Sequence, residues 1–63
     1  MTRHWISCTA FTVSVATDAQ GRIVEAAPIV RKFLGQPLVN LLGWANARGG
    51  LRHERWEEPC LAK

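Results

Sequence analysis

Between residues 11 and 15 the chain reads Phe-Thr-Val-Ser-Val, a strict alternation of apolar and polar positions rich in β-branched side chains. That is the pattern of a half-buried strand. Upstream the phase is opposite: Ile6, Cys8 and Ala10 are apolar at even positions, whereas Phe11, Val13 and Val15 are apolar at odd ones. One strand cannot put both sets on one face without an extra residue, so a β-bulge or an irregular first segment is expected near Ala10. Asp18-Ala19-Gln20-Gly21 follows, with Asp and Gly where a type I turn favours them. The segment 22–26 then returns to pair with 11–16 as an antiparallel hairpin. A four-residue loop sets Val24 opposite Val15 and Ala26 opposite Val13. A three-residue loop with Gly21 in a bulge sets Glu25 opposite Val15. Burial of the apolar set favours the first register.

Pro28 opens a short helix, because a proline at the first helical position gives up no intrahelical hydrogen bond. Ile29 with Phe33, and Val30 with Leu34, are apolar pairs four residues apart, while Arg31 and Lys32 face away. Gly35 stops this helix and Pro37 opens a second. Leu38, Leu41, Leu42 and Ala45 then form an amphipathic stripe, which Gly49-Gly50 ends. Leu51 to Trp56 reads as a last strand, with Leu51, His53 and Arg55 on one face and Arg52, Glu54 and Trp56 on the other.

The expected architecture is therefore α+β, in the order β-β-α-α-β: a three-stranded, mainly antiparallel sheet with two short helices on one face. The expected core is Phe11, Val13, Val15, Phe33, Leu34, Leu38, Leu41 and Leu42. A length of 63 residues suits a single small domain over 1–63, with a loose tail over 57–63. Such a domain buries only about 60% of the surface its unfolded chain exposes. A core together with a deep catalytic cleft does not fit that size.

Apolar residues make up 48% of the chain and charged ones 21%, which argues against disorder of the whole. The net charge of +3 permits an anionic partner without demanding one. No run of about 18 apolar residues marks a membrane span, and the N-terminus lacks a signal-peptide pattern. A cytoplasmic protein without membrane attachment is the expectation, with Cys8 and Cys60 as free thiols.

His4, Cys8, His53 and Cys60 have the composition of a structural zinc set, but their spacing lacks two close ligand pairs, so neither metal nor cofactor is expected. Cys8 could be paired with His53 or His4, but no nearby acidic orienter or oxyanion loop is visible, and no phosphate-cradling glycine loop occurs. The expectation is a protein that is not an enzyme. Trp44 and Arg48 are four apart on one helix face, and the Gly49-Gly50 turn returns the chain toward Arg52 and Trp56. These four residues are the expected binding patch. Tryptophan beside arginine suits a protein–protein hot spot, and basic groups beside aromatics also suit single-stranded nucleic acid.

Two resemblances accompany these readings. The run Thr17-Asp18-Ala19-Gln20-Gly21-Arg22-Ile23-Val24-Glu25-Ala26-Ala27-Pro28, continuing to Leu34-Gly35, resembles the opening of PAS sensor domains, with their DxxGxI hairpin and later Leu-Gly. It departs from that family at Ala27, where Asn is usual, and lacks the length for the remaining PAS sheet and ligand cavity. No PAS function is carried over. More broadly, residues 10 to 50, with their hairpin, the run from Glu25 to Leu38 and a Trp-bearing helix, are similar to small uncharacterised proteins of bacteriophage and prophage genomes. That resemblance implies a modulator or inhibitor that binds a host protein. Nucleic-acid binding through the basic and tryptophan patch is the alternative.

Overall fold

The computed structural model describes residues 1–57. Four strands, β1 (Thr2–Ser7), β2 (Thr12–Thr17), β3 (Ile23–Ala26) and β4 (Arg52–Glu57), form one antiparallel sheet in the order β3-β2-β1-β4. A 3-10 helix (Pro28–Phe33) and one α-helix, α1 (Leu38–Asn46), connect β3 to β4. The α+β class is as expected. The sheet has one strand more than expected, because residues 2–7 form a regular central strand.

The phase change near Ala10 explains that extra strand. In the β1–β2 hairpin Ile6 faces Val13 and His4 faces Val15. Even positions of one strand meet odd positions of the next, so the apolar phase must switch at the loop. The switch marks a turn and not a bulge: the Cys8 N–H donates to the Phe11 carbonyl across it at 2.9 Å.

The β2–β3 hairpin takes neither expected register along its whole length. Gly21, at φ 80°, and the Asp18 N–H to Arg22 O bond of 3.0 Å close a tight loop, leaving Thr17 opposite Ile23. Asp18 Oδ1 also accepts from the N–H groups of Gln20 and Arg22, at 2.9 and 3.0 Å. The register then shifts between Ala16 and Thr17, so that Glu25 faces Ala16 and Ala26 faces Val15. Val24 is the extra residue and stays exposed. Turn chemistry thus sets the pairing beside the loop. The bulge lets Ile23 and Ala26, three apart, both face the core, which no regular strand allows.

The expected first helix is also different. Val30 sits at φ −120°, ψ 17°, breaking the segment into 3-10 turns. The buried residues are then Val30 and Phe33, three apart, as that tighter winding requires. The four-residue pairs fail, and Ile29 and Leu34 are both exposed. Leu34 is accordingly not part of the core. In α1, Leu41 and Ala45 are buried while Leu38 and Leu42 pack at the margin. The helix ends at Asn46, ahead of the glycine pair.

The core consists of Ile6, Val13, Val15, Ile23, Val30, Phe33, Leu41 and Ala45, with Phe11 and Trp44 partly buried against it. Each fully buried Ile, Val or Leu contributes roughly 1.5–3 kcal/mol. Strand and helix members of one cluster place both helical segments on the same face of the sheet. The faces of β4 follow the expected alternation, with strand limits moved by one residue. All six β4 residues are exposed, so the helical layer stops short of this strand. The opposite edge is closed: Ile23 donates to Gln36 O at 3.0 Å, and Gly35 donates back to Ile23 O at 2.8 Å. The expected tail beyond Glu57, including Cys60 and any Cys8–Cys60 pairing, lies outside the described residues.

Candidate functional site

The core requires His4 and Ile6 to point inward, so Arg3, Trp5 and Ser7 occupy the other face of β1. Pairing carries that face across β4: Trp56 is opposite Arg3, Glu54 opposite Trp5, and Arg52 opposite Ser7. Toward β3 it continues through Ser14 and Ala16 to Glu25. Neither helical segment covers this face. Trp5 is 46% exposed and Trp56 44% exposed. They are diagonal neighbours on adjacent strands, a spacing of roughly 7–8 Å that large side chains bridge.

Among the strand residues of this face the charges balance, while Arg31 borders it at a cleft shared with Arg3, Ser14 and Glu25. Arg3 Nη1 pairs with Glu25 Oε1 at 3.0 Å, and Arg52 shares a shallow cleft with Trp5, Ser7 and Glu54. Two strand arginines therefore meet two strand glutamates. A surface that holds phosphates by charge needs a positive excess, which these strand residues do not supply.

The four residues expected as one patch fall into two groups. Arg52 and Trp56 lie on the open sheet face. Trp44 and Arg48 lie in the helical layer on the other side. The Trp44 ring is already engaged: Phe11 stacks on it at 5.4 Å, Phe33 tilts against it at 5.4 Å, and cationic groups of Lys32 and Arg48 lie 4.2 and 3.8 Å from its centroid. Arg48 Nη1 also donates to the Trp44 carbonyl at 2.9 Å. Trp44 thus works as a packing pillar capped by cations. The open-face tryptophan missed by the sequence reading is Trp5. Its signal was its odd position, out of phase with the buried His4 and Ile6.

Two members of the zinc-type set do come together. His4 Nδ1 is 2.9 Å from His53 Nε2, and His4 Nε2 is 2.9 Å from Thr17 Oγ1. The two rings stack at 5.1 Å. Burial holds the His4 pKa below its usual 6.5, with help from His53 and Arg55 and against the pull of Glu57. Among the described residues no three metal-ligating side chains converge, and Cys60 lies outside them. The histidine pair ties β1, β2 and β4 together beneath the sheet. Among the described residues no helix is long and apolar enough to cross a membrane.

No protein-family model, curated protein or solved structure matches the chain.

Proposed function

We propose that this chain is a non-enzymatic binding module that engages a protein partner through the open face of its sheet, in the manner of a phage-encoded modulator of a host protein. The observation that carries the reading is the pair Trp5 and Trp56, both half-exposed and diagonal neighbours on a face whose strand charges balance. Tryptophan is enriched among the few residues that carry most of the binding energy of protein interfaces, and a strand face without excess positive charge favours an apolar contact over phosphate binding.

The test is affinity capture from a host lysate treated with nuclease, comparing the parent with Trp5→Ala and Trp56→Ala. Both residues lie outside the core, so circular dichroism should show both variants folded. Each should weaken capture by about tenfold or more, and capture by the parent should change little between low and moderate salt. Capture abolished by nuclease, or falling steeply with salt, would assign nucleic acid as the partner instead.

A further inference from the structure

We infer that Lys32 and Arg48, held against Trp44 in the helical layer, form a phosphate clamp for single-stranded nucleic acid. This is a second surface, on the other side of the sheet from Trp5 and Trp56, and it does not rest on the partner proposed above.

The charge of the molecule is divided between its layers. No Asp or Glu occurs between Glu25 and Glu54, so residues 27–50, which carry both helical segments, hold Arg31, Lys32 and Arg48 without a single acid. In the rest of the chain basic and acidic residues are equal in number, so the whole net charge of +3 belongs to this layer. The positive excess that phosphate binding requires, and that the strand residues of the open face lack, is therefore in the helical layer. Arg31 shares a cleft with Glu25. Lys32 and Arg48 make no ion pair among the described residues.

Trp44 brings these two cations together from separate segments. Lys32 Nζ lies 4.2 Å and Arg48 Cζ 3.8 Å from the centroid of the one ring. The cationic centres are therefore within about 8 Å of each other, no farther than the screening length at physiological salt. Like charges this close repel, and an anion bound between them relieves the repulsion. The main chain at both positions is fixed. The Lys32 carbonyl accepts from Gln36 Nε2 at 3.1 Å, and the Arg48 carbonyl accepts from the Thr9 hydroxyl. Arg48 uses one N–H on the Trp44 carbonyl, at 2.9 Å, and its guanidinium keeps further donors for a phosphate.

The surroundings select the class of anion. Trp44 and Phe11 stack on each other and both remain partly exposed, so aromatic surface adjoins the two cations. That combination suits phosphates with unpaired bases beside them, which bind by charge and by stacking together. An acidic peptide offers the charge without the bases. Duplex is disfavoured, because the exposed positions of α1, Val39, Asn40, Gly43 and Asn46, carry no cation to hold a helix in a groove.

The test is fluorescence anisotropy of a labelled oligothymidylate of about ten nucleotides, titrated with the full chain. Two clamped phosphates give a slope near −1.4 in log K against log salt, at about 0.7 per phosphate, so a tenfold rise in salt should weaken binding about 25-fold. Lys32→Ala and Arg48→Ala should each halve that slope, so that the same rise weakens binding only about fivefold. Arg48→Lys should keep the parent slope. Arg22→Ala removes the same charge outside the layer and should leave the affinity within about twofold of the parent. Lys32 and Arg48 are exposed, so circular dichroism should show these variants folded. Lys32→Ala, in a different segment, decides the question if Arg48→Ala does not fold. Trp5→Ala and Trp56→Ala should bind the oligonucleotide as the parent does, which separates failure of the clamp from failure of the open-face reading. The inference is overturned by absence of binding at low salt, by a slope that neither alanine variant changes, or by Arg22→Ala weakening binding as much as Arg48→Ala. Equal competition by poly-glutamate of the same charge, or tighter binding of a duplex of the same length, would also overturn it.

Discussion

At the scale of single residues, His4 has the most distinctive environment. It is a buried polar side chain with both ring nitrogens in hydrogen bonds, to His53 and Thr17. Its pKa is held below 6.5 by burial first and by the neighbouring His53 and Arg55 second. A base with a lowered pKa binds fewer protons when folded than when unfolded. Stability therefore rises with pH across that window: it is complete above about 6.5 and declines as pH falls toward the folded pKa. Thermal denaturation followed from pH 8 to pH 5 should show this loss, and His4→Gln should flatten the profile. An unchanged profile would place the acid sensitivity elsewhere. Asp18 offers a second residue-scale prediction. Its carboxylate accepts from two backbone N–H groups in the turn, so Asp18→Ala should cost about 0.5–2 kcal/mol in chemical denaturation, a range typical of lost hydrogen bonds.

At the scale of elements, the helical segments separate residues that periodicity alone treats as equals. Leu41 is fully buried and Leu42 is marginal. Leu41→Ala should cost about 2–5 kcal/mol, and Leu42→Ala clearly less. In the 3-10 helix, Val30→Ala should destabilise more than Ile29→Ala, because Val30 is buried and Ile29 is 53% exposed. Urea denaturation of the four variants checks both orderings. Equal losses for Val30→Ala and Ile29→Ala would mean that this segment winds as the regular helix expected from the 3.6-residue pattern, and equal losses for Leu41→Ala and Leu42→Ala would mean that both leucines of α1 are packed in the core. That pattern identified the segment correctly as helical. It misjudged the winding because the six residues Pro28–Phe33 give too few turns for periodicity to distinguish three per turn from 3.6.

At the scale of the whole molecule, the sheet order makes two strands interior and leaves β4 outside the helical layer. Amide hydrogen exchange should therefore be slowest in β1 and β2 and fastest among the strands in β4. Protection in β4 matching that of β1 at dilute concentration would show that another element covers it. The candidate surface also belongs to this scale. Trp5 and Trp56 are 51 positions apart in the chain, and only the β1–β4 register makes them neighbours. Trp44 and Trp56 are much closer in sequence yet lie on opposite sides of the sheet.

Local chemistry in the sequence determined the elements themselves. Alternation from Thr12 to Thr17 marks a strand, Asp18 and Gly21 mark a turn, Pro37 and the Leu38–Ala45 stripe mark a helix, and the two faces of β4 follow from its alternation. These signals depend on neighbouring residues and on a period, so the chain displays them directly. Three further properties were decided by tertiary structure. One is the central place of residues 2–7, whose change of phase could mark a bulge or a turn until a partner strand was known. Another is the bulge at Val24, where the turn's preferred pairing and the burial of Ile23 and Ala26 are reconciled. The last is the open face itself. Which tryptophan is covered and which is exposed depends on where the helical layer ends, and that depends on packing between segments far apart in the chain.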